Sequence, residues 1–242
     1  KIVMTLIPDG KKGVEDPGSP IYLDENIISQ PAAALQLVAK EIFRMSDQVR
    51  DILKKTIELV KNEEVKSIDG LKENGEQVER LGKCITEYLA ALFSSGSLTE
   101  QQAAQTASLM CVLSDVERMG TLSVEMAECM LERSDRKYKY TPEAMDELQK
   151  SLKVLNKMFC DSLKALQGDD GIEPGKMMKR KDKLLDLDIK MRKAHIERVN
   201  KGKCKASLTA PFTNILHLID RMGNSCINLA DVAESGTSMK YF

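Results

Sequence analysis

Tryptophan is absent from this 242-residue sequence, and the other aromatic residues are scarce, with five Phe and five Tyr. Thirteen Met residues accompany many Leu, Ala, Glu and Lys residues. Strands of a β-sandwich draw on aromatic and β-branched side chains, whereas the residues found here favour helices that pack through aliphatic side chains. The composition therefore argues against a β-sandwich and predicts an all-α protein.

An excess of charge of either sign is also missing, because 36 Lys and Arg residues oppose 37 Asp and Glu residues. The net charge of −1 provides no overall positive field for phosphate backbones, so no nucleic-acid partner is expected. The six cysteines show neither a CxxC motif nor the spacing of a zinc site. They predict free thiols in a reducing compartment.

Long apolar runs are missing as well. No uncharged apolar run approaches the ~20 residues that cross a bilayer, and charge-free stretches such as 206–219 contain polar residues. The visible chain is therefore expected to be soluble. It begins KIVMTLIPDGKK, which lacks the regions of a signal peptide and does not start with Met, so a piece of a longer protein is expected.

The periodicity of apolar residues predicts six long helices. Residues 1–30 hold three prolines and three glycines, which is typical of an extended arm. Apolar residues then recur at three- and four-residue steps. Thr141 before Pro142, and Thr99 with Gln102, are signals for the start of a helix. The predicted helices are 31–62, 65–93, 100–136, one from 142 to a loop at 167–175, 176–200 and 208–235.

One motif occurs twice. DVERMGTLSVEMAE (115–128) aligns with LIDRMGNSCINLAD (218–231), and the Arg-Met-Gly triplets of the two copies coincide. Each copy lies in the third helix of a three-helix unit, which indicates an internal repeat. The predicted organisation is an arm at 1–30, a three-helix bundle at 31–138, a second three-helix bundle at 139–235 and a tail at 236–242.

Each copy of the motif places a glycine in the middle of a helix. Such a glycine costs about 1 kcal/mol relative to Ala, so Gly120 and Gly223 suggest a close approach between helices. We expect the glycine-bearing faces to form the contact between the bundles or with a partner; a duplicated packing motif is the alternative. The predicted surface comprises Arg118, Gly120, Glu128, Arg221, Gly223, Asn228 and Asp231.

The duplicated motif resembles the DLERIGDHAxNIAE-like motifs of the PhoU family of phosphate-signalling proteins. The first copy agrees at Asp115, Glu117, Arg118, Gly120, Ala127 and Glu128. The second copy agrees at Asp220, Arg221, Gly223, Asn228, Ala230 and Asp231. The resemblance covers about residues 32–235 and implies tandem three-helix bundles, in agreement with the helix pattern.

A narrower resemblance lies in the segment YLDENIISQPAAALQLVAKEIFRM (22–45). It is similar to the stretch that joins the membrane part of bacterial sodium/phosphate cotransporters to their C-terminal PhoU-like domain, as is RKAHIERVNKGKC (192–204). The resemblance implies a regulatory domain on the cytoplasmic side of the bacterial inner membrane. Its partner would be its own transmembrane domain, with homo-oligomers as a further expectation. The alternative is a free-standing PhoU-type adaptor that bridges a phosphate importer and a sensor kinase.

The resemblance also bears on whether the duplicated motif binds a metal. PhoU proteins bind clusters, commonly of iron or zinc, through acids four residues apart, which share one helix face. Thr121 and Asn224 replace the second acid of the two copies, so no cofactor is expected. A divalent or iron cluster is the alternative, and its candidate ligands are Glu117, Asp220, Asn224 and Asp115.

The sequence offers no catalytic residue, because it contains no P-loop, GxGxxG, GxSxG or Cys–His pair. A metal-dependent enzyme that uses the motif acids is the remaining rival. The basic stretch KMMKRKDK (176–183) is a candidate contact with an anionic membrane surface, or else a solvated helix face. His195 and His217 lack the ExxH spacing of di-iron bundles and are expected on helix faces or interfaces.

Overall fold

The computed structural model of the chain describes residues 16–61, 66–134, 139–168 and 174–235. Within these ranges the chain forms helices and no strand, which confirms the all-α prediction. None of the described helices has an apolar stretch long enough to cross a bilayer. The six helices are α1 (Pro31–Lys61), α2 (Asp69–Ser94), α3 (Glu100–Ser134), α4 (Pro142–Leu166), α5 (Pro174–Asn200) and α6 (Thr209–Glu234).

The starts of α3 and α4 follow their capping residues. The Thr99 N–H donates to Gln102 Oε1 at 2.9 Å and the Gln102 N–H donates to Thr99 Oγ1 at 3.2 Å, which closes the capping box. Thr141 Oγ1 accepts the Ala144 N–H at 3.3 Å in front of α4. Both predicted signals are confirmed.

The start of α2 differs from the prediction of residue 65. Ser67 and Asp69 exchange hydrogen bonds of 2.7 and 3.1 Å, and this local turn competes with the helix until Asp69. The first part of the predicted arm (1–15) and the predicted tail (236–242) lie outside the described residues. The predicted domain boundaries stay a prediction.

Helices α1–α3 form one three-helix bundle and α4–α6 form the other. The predicted apolar seam of α1 is fully buried at Val38, Ile42 and Met45, and Leu148, Leu152 and Leu155 occupy the matching places in α4. Thr56 interrupts the seam, yet it is buried and its hydroxyl donates to the Ser123 carbonyl of α3 at 3.0 Å. The repeat seen in the sequence is therefore a repeat of packing.

Two helix pairs, α3 with α6 and α1 with α4, join the bundles. Along the first pair, Asn228 Nδ2 donates to Asp115 Oδ1 at 3.2 Å and Asn214 Nδ2 lies 3.3 Å from the Cys129 sulfur. A higher residue number in α3 is thus paired with a lower residue number in α6, which means that the two helices are antiparallel. The two Arg-Met-Gly triplets consequently cross near the middle of this seam.

The two glycines themselves lie inside their own bundles, which corrects the expected placement between bundles. A Cβ on Gly120 would lie 3.3 Å from Val49 of α1 and 3.5 Å from Val78 of α2. A Cβ on Gly223 would lie 3.1 Å from Leu184 and 3.4 Å from the Lys181 ammonium of α5. The glycines thus let α1, α2 and α5 approach the motif helices.

The described part of the arm, residues 16–30, is clamped onto the first bundle by a buried carboxylate. Glu41 of α1 is 0% exposed and accepts the backbone N–H groups of Ile21 at 2.9 Å and Tyr22 at 2.7 Å. Arg44 pairs with the same carboxylate. A buried charge is tolerated because these donors satisfy it.

Further contacts hold the arm in the groove between α1 and α2. Arg44 donates to the Ser19 carbonyl at 2.6 Å, and Gln48 donates to the Pro17 carbonyl at 3.0 Å. From α2, the Tyr88 hydroxyl donates to the Asp24 carbonyl at 2.8 Å. The described part of the arm is not extended throughout, because it forms a turn in which the Ser19 N–H donates to the Asp16 carbonyl and a short 3-10 helix at Glu25–Ile27. It is bound through its backbone.

Replacing Glu41 by Gln tests the clamp. The substituted amide would keep the size of the side chain but lose the charge that Arg44 and two N–H groups share. We expect the free energy of unfolding to fall by about 1–3 kcal/mol, and proteolysis within residues 16–28 to accelerate. Chemical denaturation and limited proteolysis measure these effects. Glu58→Gln, at an exposed position of the same helix, is the matched control and should change neither.

Candidate functional site

The motif acid of the first repeat lies in an acidic cleft between α2 and α3. The cleft has a volume of about 300 Å³. The acids that line it, called the acidic face from here on, are Glu76, Glu79, Glu117, Glu125 and Glu128. Lys72 pairs with Glu128 at 2.8 Å, and an adjoining cleft adds Arg80 and Lys83.

Glu117 is a half-buried member of the acidic face, as are Glu125 and Glu128. Its carboxylate lies against Gly82, where a Cβ would come within 3.3 Å of it. Burial raises the pKa of Glu117, and the neighbouring charge of Glu79 raises it further. Thr121, which stands where PhoU motifs have a second acid, donates its hydroxyl to the Glu117 backbone carbonyl at 3.3 Å. Glu117 is therefore a carboxylate whose ionised form the fold disfavours.

The motif acid of the second repeat is neutralised by a lysine. Lys181 of α5 donates to Asp220 Oδ1 at 2.6 Å and to the Asp220 carbonyl at 3.2 Å. Its side chain is only 18% exposed, and Gly223 leaves the room in which it lies. Asn224 adds a longer hydrogen bond of 3.4 Å to the other carboxylate oxygen.

No lysine takes this place in the first repeat. Leu184 approaches Gly223 as Val78 approaches Gly120, so the two positions correspond. Three residues earlier stand Lys181 in α5 and Gly75 in α2. The motif acid of the second repeat, Asp220, is thus neutralised by Lys181. The corresponding acid of the first repeat, Glu117, lies beside other acids instead.

The remaining predicted residues lie along or beside the α3–α6 seam. Asp115 contacts Asn228, and Arg221 lies 3.8 Å from Glu125 across the two bundles. Arg118 and Asp231 are exposed. The four proposed metal ligands are consequently spread over three places: Glu117 faces α2, Asp115 faces α6, and Asp220 with Asn224 faces α5.

These positions do not fit the metal cluster that the PhoU resemblance implies. Among the described residues, no group of three or more His, Cys, Asp and Glu side chains is arranged to hold a metal. The ammonium of Lys181 already neutralises Asp220, and the Thr121 hydroxyl is turned to the helix backbone. The metal content of the protein stays a prediction.

Both histidines lie away from the motif acids. His195 is buried, stacks on Phe212 with ring centroids 4.6 Å apart, and contacts Thr209 Oγ1 at 3.1 Å. Burial lowers the pKa of His195, so the neutral ring is favoured. His217 is exposed. His195 is thus a packing residue of the second bundle.

Comparison with known proteins agrees with this architecture. Residues 42–130, which run from α1 to α3, match the PhoU domain family. The chain is 24% identical over 208 residues to the phosphate-specific transport system accessory protein PhoU homolog 1 of Thermotoga maritima, covering 85% of this chain and 87% of that protein.

A solved structure extends the likeness to both repeats. The crystal structure of PhoU from Pseudomonas aeruginosa superposes with a TM-score of 0.74, covering 81% of this chain and 93% of that one at 13% identity. This similarity shows the fold. The predicted PhoU-like pair of three-helix bundles is confirmed, whereas the narrower resemblance to sodium/phosphate cotransporters stays a prediction.

Matched substitutions of the two motif acids should change stability in opposite directions. A raised pKa means that ionised Glu117 destabilises the fold once the pH exceeds that pKa, so Glu117→Gln should raise the free energy of unfolding at pH 7 by up to about 1 kcal/mol. The gain should vanish as the pH falls and Glu117 becomes protonated. Asp220→Asn removes the partly buried pair with Lys181 and should lower the free energy by about 1 kcal/mol. Urea denaturation at pH 7 and pH 4 measures both; effects of the same sign at pH 7 would refute the contrast.

Proposed function

We propose that this chain regulates phosphate uptake as a PhoU-type accessory protein. The observation that carries the proposal is the likeness to the Thermotoga maritima accessory protein over 85% of the chain, together with the PhoU domain at residues 42–130. The alternative of a free-standing adaptor is the one that these comparisons support better. Its partner would be a phosphate transporter at the cytoplasmic face of the membrane.

The acidic face is the proposed contact with that partner. Five carboxylates line it, and two of them have a cation within ion-pair distance in the described part of the chain, Glu128 with Lys72 at 2.8 Å and Glu125 with Arg221 at 3.8 Å. Charged side chains that lack nearby opposite charges lower the stability of a fold. A group of such side chains is therefore a candidate functional site. A basic segment of the transporter has the chemistry that this face would bind. We propose no catalytic role, since the metal-dependent alternative needs the acids that Thr121 and Asn224 replace.

The segment at 22–45 favours a second arrangement, in which the same domain is joined to a sodium/phosphate cotransporter. In the structure this segment runs from the clamped arm through a short 3-10 helix, Glu25–Ile27, into α1. The two arrangements differ in the native gene product. An antibody against the chain should detect either a soluble band of the mass of this chain or a much larger band in the membrane fraction; the second result would replace the free-standing adaptor.

Phosphate uptake in the source organism tests the proposed function. Deletion of the gene, or Glu79→Lys with Glu117→Lys, should change the rate of labelled phosphate uptake by about fivefold, at the lower end of regulatory couplings. Asp182→Lys with Asp186→Lys reverses two exposed charges of α5 and is the matched control. Circular dichroism of the purified variants confirms that they are folded.

Unchanged uptake in the deletion strain at both high and low phosphate would refute the proposed function. A changed rate in the deletion strain, combined with a normal rate in the Glu79→Lys, Glu117→Lys strain, would refute the acidic face as the contact and leave the regulatory role in place. A rate in the Asp182→Lys, Asp186→Lys strain that is altered as much as in the Glu79→Lys, Glu117→Lys strain would show that charge reversal outside the acidic face has the same effect, and would refute the acidic face as the specific contact.

A further inference from the structure

The groove that the arm fills in the first repeat has an open counterpart in the second. The arm residues contact Glu41, Arg44 and Gln48 on α1. Since Val38 and Ile42 correspond to Leu148 and Leu152, the matching positions on α4 are Ser151, Val154 and Met158. Of these, Val154 lines a cleft between α4 and α5, whereas Ser151 and Met158 are buried and are not part of its lining. The groove that corresponds to the one between α1 and α2 therefore runs between α4 and α5.

The α4–α5 groove is a cleft of about 370 Å³. Its polar lining is entirely cationic and consists of Lys150, Lys153, Lys157, Arg180 and Lys183. Val154 and Leu187 supply apolar surface. From Lys150 to Lys157 the groove follows two turns of α4, or about 10 Å, which is the length of about three residues of extended chain.

Acids close to the α4–α5 groove compensate only some of its cations. Asp161 lies 2.5 Å from Arg180 and 3.6 Å from Lys157, and Asp146 lies 2.6 Å from Lys150. Lys153 and Lys183 form no ion pair within the described part of the chain. The groove thus keeps an excess of positive charge although the protein as a whole carries a charge of −1.

Ser151, the residue of α4 that corresponds to Glu41 of α1, has a hydroxyl group that makes no hydrogen bond within the described residues. Ser151 is 0% exposed. In the first repeat the corresponding carboxylate accepts two backbone N–H groups of the arm. Tyr140, which lies two residues before α4, packs on Phe212 of α6 with ring centroids 5.3 Å apart and is not part of the lining of the α4–α5 groove.

We propose that the α4–α5 groove binds an acidic segment of a partner protein, at the place that corresponds to the one where the first repeat holds its own arm. The filled groove of the first repeat shows that this fold binds a non-helical segment through its backbone N–H and carbonyl groups between the first two helices of a repeat. The uncompensated lysines select carboxylates in the occupant. This surface is distinct from the acidic face, and failure of the proposal would leave the phosphate-uptake proposal standing.

A membrane surface is a less suitable occupant for this groove. A helix that binds lipid places apolar side chains between its cations. The exposed apolar residues of α5 include Leu185, Ile189 and Ile196, but with 3.6 residues per turn they follow a line about a third of a turn away from Lys179, Lys183 and Lys190. The cations and the exposed apolar residues therefore do not share a face.

Fluorescence anisotropy with a labelled peptide tests the proposal. The probe is DPGSPIYLDENII, the arm sequence 16–28, which carries three acids and whose own chain binds the corresponding groove of the first repeat. It should bind the full chain, and Lys153→Glu with Lys183→Glu should weaken binding at least about tenfold, as expected for reversal of two contacting charges. A peptide with its three acids replaced by amides should bind at least about tenfold more weakly for the same reason.

Lys40→Glu with Lys61→Glu is the matched control, because both residues are exposed on α1 outside the α4–α5 groove. This variant should bind the acidic peptide as tightly as the unmodified chain. Inorganic phosphate and phosphatidylglycerol vesicles are offered as competing anions. Lys153→Gln with Lys183→Gln repeats the test with a milder change if the charge-reversed variant is unfolded by circular dichroism.

Three results would overturn the proposal. The first is undetectable binding of the acidic peptide. The second is equal binding by the groove variants and the unmodified chain, which would place the peptide elsewhere, for example in exchange with the arm. The third is binding of phosphate or vesicles, but not of the peptide, that the Lys153 and Lys183 substitutions abolish; the groove would then be a site for small anions or lipid.

Discussion

The antiparallel packing of α3 against α6 is the contact on which the rest of the arrangement depends. It crosses the two Arg-Met-Gly triplets near their centres and joins the bundles through side chains such as Asp115 and Asn228. The glycines of those triplets serve the other side of the same helices, where Gly120 admits Val49 and Val78 and Gly223 admits Leu184. One short motif therefore sets both the packing within each bundle and the crossing between them, while α2 and α5 pack mainly within their own bundles.

The two repeats have matching surfaces that are completed differently. In the first repeat the arm fills the groove beside α1, and its backbone N–H groups satisfy Glu41; in the second repeat the matching groove is open and cationic. For the motif acids it is the second repeat that is closed and the first that is open. Lys181 neutralises Asp220 in the second repeat, while Glu117 of the first repeat lies among other acids. Each repeat thus leaves one surface available, and the two available surfaces have opposite charge. A chain with almost no net charge can in this way present two separate electrostatic contacts.

Local and periodic features could be predicted from the sequence, but features that depend on helix register could not. The capping box at Thr99, the cap at Thr141 and the duplicated motif are short-range patterns, and the structure contains all three. No local pattern indicates that Lys181 meets Asp220, because that pair depends on how α5 lies against α6. Glu41 likewise resembles any polar residue beside an apolar seam until the path of the arm is known. The same limit explains why the glycines were expected between the bundles.

Lysine reactivity tests most directly whether each repeat closes one surface and leaves the other open. The native protein would be treated briefly with an amine-acetylating reagent, and the labelling rate of each lysine would be read by mass spectrometry. Lys181 is 18% exposed and bonded twice to Asp220, so it should react about tenfold more slowly than Lys153 and Lys183, because it must first open locally. Equal rates for the three lysines would contradict the account, since they would mean that Asp220 is as open as Glu117 or that the α4–α5 groove is already covered.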